Sequence, residues 1–270
     1  LNFLRRMRSL LLLPITLLLL LLNIHLALAQ STGLPVPKCS NGSITLSSYY
    51  LTNVAEGVIK TPDSKTTATL CWTEEGISVS ERATDKYPVS PHKTCNSRVW
   101  ENSAALELFI SRVADPKDVP IHYYEIDITP TGAVFATLIE NTKKGTTPTC
   151  PSCVVGELSC KGSSAFPAFP ELFNSAEQTI SGWQTNRFIP FAMFDQFIHD
   201  TQDKNRFFKM NLYRYDYPNG MDKDYQLSGA NPTFSPSFHI PARFGLIELV
   251  EKKSIDVAAF PGVYFNTPAQ

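Results

Sequence analysis

Two stretches of strict period-two alternation constrain this chain more than anything else in it. In residues 104–111, Leu106, Leu108 and Ile110 fall on one side, and Glu107 and Phe109 fall on the other. In residues 121–128, Tyr124, Ile126 and Ile128 share a side, and Tyr123, Glu125 and Asp127 share the opposite one. Only an extended strand keeps such a pattern on two faces, because successive side chains point to opposite sides of a sheet. Further strand-like segments lie at roughly 44–51, 54–60, 66–72, 76–82, 133–140, 177–184, 206–215 and 244–251. They are rich in β-branched and aromatic residues and are bounded by Gly, Pro, Asn and Asp. Helical periodicity is scarce; Phe191 to Ile198, after Pro190, is the best candidate. Many short strands without intervening helices predict an all-β fold: an antiparallel, jelly-roll-like β-sandwich. Lys143 to Pro170 has no period and carries three cysteines and four prolines, so it reads as one long loop pinned by disulfides.

The start of the chain reads as an export signal. Arg5, Arg6 and Arg8 precede an apolar run from Leu10 to Leu22, and Ala27-Leu28-Ala29 supplies small residues for cleavage. The predicted organisation is a signal peptide over 1–29, a lead over 30–42, the sandwich over 43–251 and a tail over 252–270. The expected setting is secreted and extracellular, without a membrane partner once the signal is removed. That removal lowers the basic count from 24 to 21 against 25 acids, and the net charge from −1 to −4. No basic stripe remains to follow phosphates, which argues against nucleic acid as a partner. About 240 residues suffice for one large all-β domain, expected to be a monomer.

Six cysteines follow the signal: Cys39, Cys71, Cys95, Cys150, Cys153 and Cys160. An even count in an exported chain predicts three disulfides, among fifteen pairings that sequence alone does not resolve. Cys71 with Cys95 is the favoured pair, since each lies beside a predicted strand. Cys150-Pro-Ser-Cys153 has a metal-like spacing, but no second pair or histidine cluster completes a tetrahedron. Asn41-Gly42-Ser43 is an acceptor sequon for N-glycosylation.

The polar side of the two alternating strands carries the chemistry. Acids beside rings suit sugar recognition: rings stack on the C–H face of a pyranose, and carboxylates accept hydrogen bonds from hydroxyls. The same pattern also fits a solvated outer face with weak cross-strand pairs. Asn211 and Arg214 lie three apart in 206–215, so alternation puts them on opposite faces unless a bulge intervenes. Arg214 is either a hydroxyl-binding group or a structural ion pair. Asp216, Asp222 and Asp224 flank the turn Pro218-Asn219-Gly220 and offer oxygen ligands to Ca2+. Glycoside hydrolysis is a second reading, needing two carboxylates about 5–10 Å apart across a cleft, for which Glu107 and Glu125 are the candidates. His122, His199 and His239 are isolated and no nucleophile elbow is present, so no catalytic residue is assigned.

Several ordered motifs carry a resemblance. They are Ala68-Thr69-Leu70-Cys71-Trp72, Val99-Trp100, Leu106 to Ile110, Tyr123 to Pro130, Ile180-Ser181-Gly182-Trp183, Asn211-Leu212-Tyr213-Arg214, Pro232-Thr233 and Phe238-His239-Ile240-Pro241-Ala242-Arg243-Phe244-Gly245. Together, over most of residues 45–250, they resemble the family 9 carbohydrate-binding modules. The resemblance implies a non-catalytic β-sandwich that binds a plant- or microbial-type polysaccharide or its oligosaccharides, with a role in carbohydrate catabolism. It implies Trp100, Glu107, Tyr123, Glu125, Asn211 and Arg214 as ligand contacts, and a structural calcium ion. One departure stands out: where family members place a tryptophan before the Pro-Thr segment, this chain has Ala230. A further reading is an extracellular domain akin to the DOMON sandwiches, which bind haem or sugars; haem would need an axial His or Met.

Overall fold

The computed structural model describes residues 33–46, 52–53, 66–142, 154–157, 174–179, 181–195, 206–221 and 225–251. Fourteen strands are described among them: β1 (Leu34–Pro37), β2 (Ile44–Leu46), β3 (Thr52–Asn53), β4 (Thr66–Trp72), β5 (Gly76–Thr84), β6 (Ala105–Val113), β7 (His122–Ile128), β8 (Val134–Glu140), β9 (Val154–Glu157), β10 (Asn174–Thr179), β11 (Gly182–Pro190), β12 (Phe207–Asp216), β13 (Gln226–Gly229) and β14 (Gly245–Val250). The large sheet runs β1-β14-β12-β6-β7-β8-β9, with β13 beside β12 and β3 beside β13. The small sheet runs β10-β11-β5-β4-β2. All described pairs are antiparallel except β1 with β14. The expected antiparallel-rich sandwich is therefore the observed one.

The alternation read in the sequence sets the layers. Leu108, Ile110, Tyr124, Ile126, Ala136, Leu138, Met210 and Leu212 line the inner face of the large sheet. They meet Ala68, Leu70, Ile77, Val79 and Ile189 of the small sheet. Each such valine, leucine, isoleucine or methionine contributes about 1.5–3 kcal/mol when fully buried. The turn Phe191–Phe194, predicted as the start of a longer helix, is one short 3-10 segment. Its Met193 and Phe194 plug the same core.

Some elements differ from expectation. The predicted strand 177–184 is the hairpin of β10 and β11, broken because Gly182 sits at φ 155, where a Cβ would lie 2.0 Å from the Ala83 carbonyl oxygen. β1 lies within the segment read as a lead, and β9 within the segment read as a loop; both are four residues long and show no clear alternation. The favoured Cys71–Cys95 pairing is corrected: the bond joins Cys39 to Cys71, with Cα atoms 4.8 Å apart. Lys38 bridges Trp72 in parallel register, which carries Cys39 alongside β4. Closing this loop stabilises the fold by roughly 3–4 kcal/mol in the chain-entropy picture. Cys95 is also disulfide-bonded, whereas Cys150, Cys153, Cys160, the signal segment and the tail over 252–270 lie outside the described residues. The side-chain amide of Asn41, in the predicted sequon, donates to the Glu251 carbonyl at 2.6 Å. Among the described residues no helix is long and apolar enough to cross a membrane.

Two arginines lie between the sheets. Arg187 of β11 pairs with Glu81 of β5 at 2.9 Å and donates to the carbonyls of Ile126, at 2.8 Å, and Leu106 on the large sheet. Arg214 of β12 reaches the other way, to Thr66 Oγ1 and the Thr84 carbonyl, each at 3.0 Å, and to Asp85 at 3.3 Å. Removing one member of a buried pair strands the other charge, at about 3–5 kcal/mol. Arg187→Leu is thus expected to lose about that much stability in urea unfolding, and the double variant with Glu81→Leu to regain most of it. An equal loss in the double variant would show that the ion pair is not what the site needs.

Candidate functional site

The polar side of β6 and β7 becomes the outer face of the large sheet. Register sets its side chains in rows. Tyr213, Glu107, Asp127 and Phe135 stand side by side across β12, β6, β7 and β8; Asn211, Phe109, Glu125 and Thr137 form the next row. One ligand oxygen from each of Glu107, Glu125 and Asp127 lies within 4.8 Å of the others. The three acids are not open to solvent: Glu107 is 2%, Glu125 7% and Asp127 0% exposed.

Two covers produce that burial. One is the stretch Ser237 to Gly245. Phe238 stacks on Tyr213 with ring centroids 4.1 Å apart, and Phe244 packs on Tyr123 at 5.2 Å and on Phe109 at 6.0 Å. The Tyr213 hydroxyl donates to the Phe238 carbonyl at 3.1 Å. The other cover is the segment before β6. Trp100 meets Phe135 edge-on at 4.7 Å, while Val99 and Ala133 fill in behind. The Asn96 backbone donates to the Val134 carbonyl at 2.7 Å and its side chain accepts from Ala136 at 3.3 Å, fixing this segment to β8.

Burial and mutual repulsion dominate the electrostatics. Desolvation, and then the charges of Asp127 and Glu125, hold the Glu107 carboxyl well above the usual range. Desolvation and the Asp127 charge do the same for Glu125, and desolvation does so for Asp127. Arg187 opposes the rise at Glu107 and Asp127 from beneath the sheet. His239 stands with Nδ1 3.0 Å from the Tyr123 hydroxyl and Nε2 3.9 Å from Glu125 Oε2. Desolvation pushes its pKa down to about 4, so it is neutral near pH 7.

The expected contact residues do not all meet. Trp100, Glu107, Tyr123, Glu125 and Asn211 share the outer face or its cover; Arg214 is on the inner face, because β12 alternates without a bulge. Arg214 is 1% exposed and held by Asp85, Asp216, Thr66 and Thr84, the structural ion pair left open by the sequence. Asn211 is fully buried and engaged: it donates to the Asn231 carbonyl and accepts from the backbone of Asn231 and Leu212, each at 3.0 Å. It clamps the 229–234 stretch to the sheet. Asp216 binds Arg214 at 2.9 Å, and Asp222 and Asp224 lie outside the described residues.

Ala230 is 2% exposed and packs in the inter-sheet core, so a ring there would point away from the outer face. The exposed ring of this stretch is Phe234, 55% exposed and held at φ 56, with Arg243 over it at 4.9 Å. A bulky side chain in left-handed backbone is a true outlier. Sequence reasoning missed Phe234, since no local pattern reports φ. It saw Asp127 on the acidic face without assigning it a role. A separate groove of about 510 Å³ opens on the outer side of the small sheet, lined by Thr69, Glu75, Ser78, Ser80, Asn186 and Phe188 among others.

No protein-family model and no curated protein matches the chain. Solved structures do share its fold. A candidate carbohydrate-binding protein from Bacteroides uniformis aligns with TM-score 0.55 and 17% identity, covering 81% of this chain and 99% of its own. A family 9 carbohydrate-binding module from Caldicellulosiruptor kristjanssonii, in complex with cellotriose, aligns with TM-score 0.51 and 11% identity over 84% of this chain and 97% of its own. The chain thus has the family 9-like sandwich that its motifs resembled.

The acids give a signed pH response. A raised folded-state pKa means the native protein holds protons that the unfolded chain, near pKa 4 for such groups, has already released. In chelator, stability is therefore expected to fall as pH rises from about 4 through the raised values of Glu107, Glu125 and Asp127, and Asp127→Asn to flatten that fall. Denaturant midpoints at a series of pH values test it; a flat or rising profile from pH 5 to 8 contradicts it.

Proposed function

We propose that this chain is a non-catalytic carbohydrate-binding domain, acting outside the cytosol on an oligosaccharide or an accessible polysaccharide chain. The observation that carries the reading is the gathering of acids and rings on one face of a sandwich that spans nearly the whole of two structures from carbohydrate-binding proteins. The disulfides fit an oxidising compartment. Because Glu107, Tyr123 and Asn211 are sealed, the saccharide meets the rim. Trp100 and Phe234 supply rings there. Among the described residues the acids do not line an open cleft, which favours binding over hydrolysis.

A second location rests on the small-sheet groove, where hydroxyls, an amide and the Phe188 ring present the mixed surface a sugar needs. Calorimetry with cello-, xylo- and manno-oligosaccharides is expected to give binding that Trp100→Ala and Phe234→Ala each weaken about ten- to a hundredfold, by analogy with base–ring stacks of about 1–3 kcal/mol. Asn186→Ala should leave it intact. The reverse pattern moves the site to the groove, and no heat with folded protein at millimolar ligand overturns the function.

A further inference from the structure

The rim ring Phe234 is accompanied by a cation that the fold does not use. Phe234 is 55% exposed even with the Arg243 guanidinium 4.9 Å from its centroid. Its backbone is fixed from both sides. The Asn211 side chain holds Asn231 at 3.0 Å, the Thr233 hydroxyl donates to the Ser235 carbonyl at 2.7 Å, and the Ser237 amide donates to Ser235 Oγ at 3.2 Å. A bulky residue kept at φ 56 carries strain that burial of its own ring does not offset, since that ring faces solvent. Arg243 ends the 3-10 turn Pro241–Arg243, its amide donating to the Ile240 carbonyl at 2.8 Å, and the next residue, Phe244, is buried in the roof. The base of the arginine is thus anchored in the cover. Among the described residues, Arg98, Arg112, Arg187, Arg206 and Arg214 each pair with an acid. Arg243 meets no carboxylate among those residues although it is half-buried; its side chain meets the ring. Arg82, which also lacks such a partner there, stands exposed on the small sheet.

A cation over a ring is held by its charge and spends none of its N–H groups on an oxygen acceptor. A guanidinium fork meets a carboxylate in two parallel hydrogen bonds. We propose that Phe234 and Arg243 form a subsite for an acidic sugar: a pyranose lies on the exposed ring, and the carboxylate of a uronic acid, on that sugar or the next in the chain, docks on the guanidinium. This subsite presupposes that the chain binds carbohydrate, and it selects uronate-containing glycans over neutral ones. A sulfate ester offers similar charge in tetrahedral form, whereas a carboxylate is planar like the fork and fits it better.

Calorimetry on the full chain compares one scaffold in three forms: cellotriose, cellotriose oxidised to the carboxylate at C6, and its C6 sulfate ester. Oligomannuronate against manno-oligosaccharide, and glucuronate-branched against plain xylo-oligosaccharide, repeat the comparison on other backbones. At low ionic strength the carboxylate form is expected to bind about tenfold tighter than its neutral counterpart, and the sulfate less tightly than the carboxylate. The advantage shrinks at about 0.5 M salt, where charge is screened within a few ångströms. Arg243→Gln is expected to erase the difference between the forms, and Arg243→Lys, which keeps the charge without the fork, to retain part of it. Phe234→Ala weakens both forms, and unchanged melting temperatures of the arginine variants exclude a damaged fold. Equal affinity for neutral and acidic forms overturns the subsite and leaves carbohydrate binding standing. An advantage that survives Arg243→Gln also overturns it, and a preference for the sulfate overturns the choice of uronate. No binding of any form removes carbohydrate recognition itself, and the subsite with it.

Discussion

The sandwich depends on two guanidinium groups sealed between its sheets. Each sheet carries acids on its inner face, Glu81 and Asp85 on and beside β5 and Asp216 at the end of β12, where an aliphatic core offers them nothing. Arg187 and Arg214 cross the gap in opposite directions and answer them. Apolar contacts are non-directional and choose among offsets of the two layers less sharply than a hydrogen-bonded charge does. A planar fork bound to a carboxylate on one sheet and to backbone carbonyls on the other permits one placement. That placement sets Leu106 and Ile126 over Arg187, and so fixes the strands that carry Glu107 and Asp127.

Strands read from alternation agree with the structure wherever one face is apolar over five or more residues, as in β6, β7 and β12. The short elements β1, β3, β9 and β13 escaped, since two to four residues hold too few repeats to show a period. The disulfide partner of Cys71 was not legible, because proximity to a strand says nothing about which strand end returns beside it. The acidic–aromatic face was legible as Glu107, Phe109, Tyr123, Glu125 and Asp127 on one side of two strands, whereas the pairing of Glu107 with Asp127 follows only from the register. Its cover was not. The motif Phe238 to Gly245 was visible as a motif, yet only tertiary packing reveals Phe238 and Phe244 as the roof over Phe109, Tyr123 and Tyr213.

That roof changes what the face can do. An open sheet of acids and rings would bind a sugar along its breadth. Here the covers turn its middle into interior, so rings at the edges and charge at the centre are separated. Phe234 illustrates the division: its backbone strain persists because Asn211 anchors Asn231 three residues earlier and Arg243 lies over the ring. Ala230, one residue before that anchor, is committed to the core by the same register. A tryptophan at 230 would have to displace core volume rather than reach a ligand, which explains in packing terms why a small residue stands there.

The central charge then has to be answered from inside the fold. Like charges directly opposite on neighbouring strands destabilise a sheet, and Glu107 faces Asp127 in that relation. Burial sharpens the repulsion, because water no longer screens it. The acids answer it by keeping protons, which desolvation and their mutual repulsion favour. The neutral His239 stands toward Glu125 at a distance too long for a hydrogen bond. Tyr213 stands beside Glu107, Phe109 beside Glu125 and Phe135 beside Asp127, so a ring borders each acid and excludes the water that would favour its charged form.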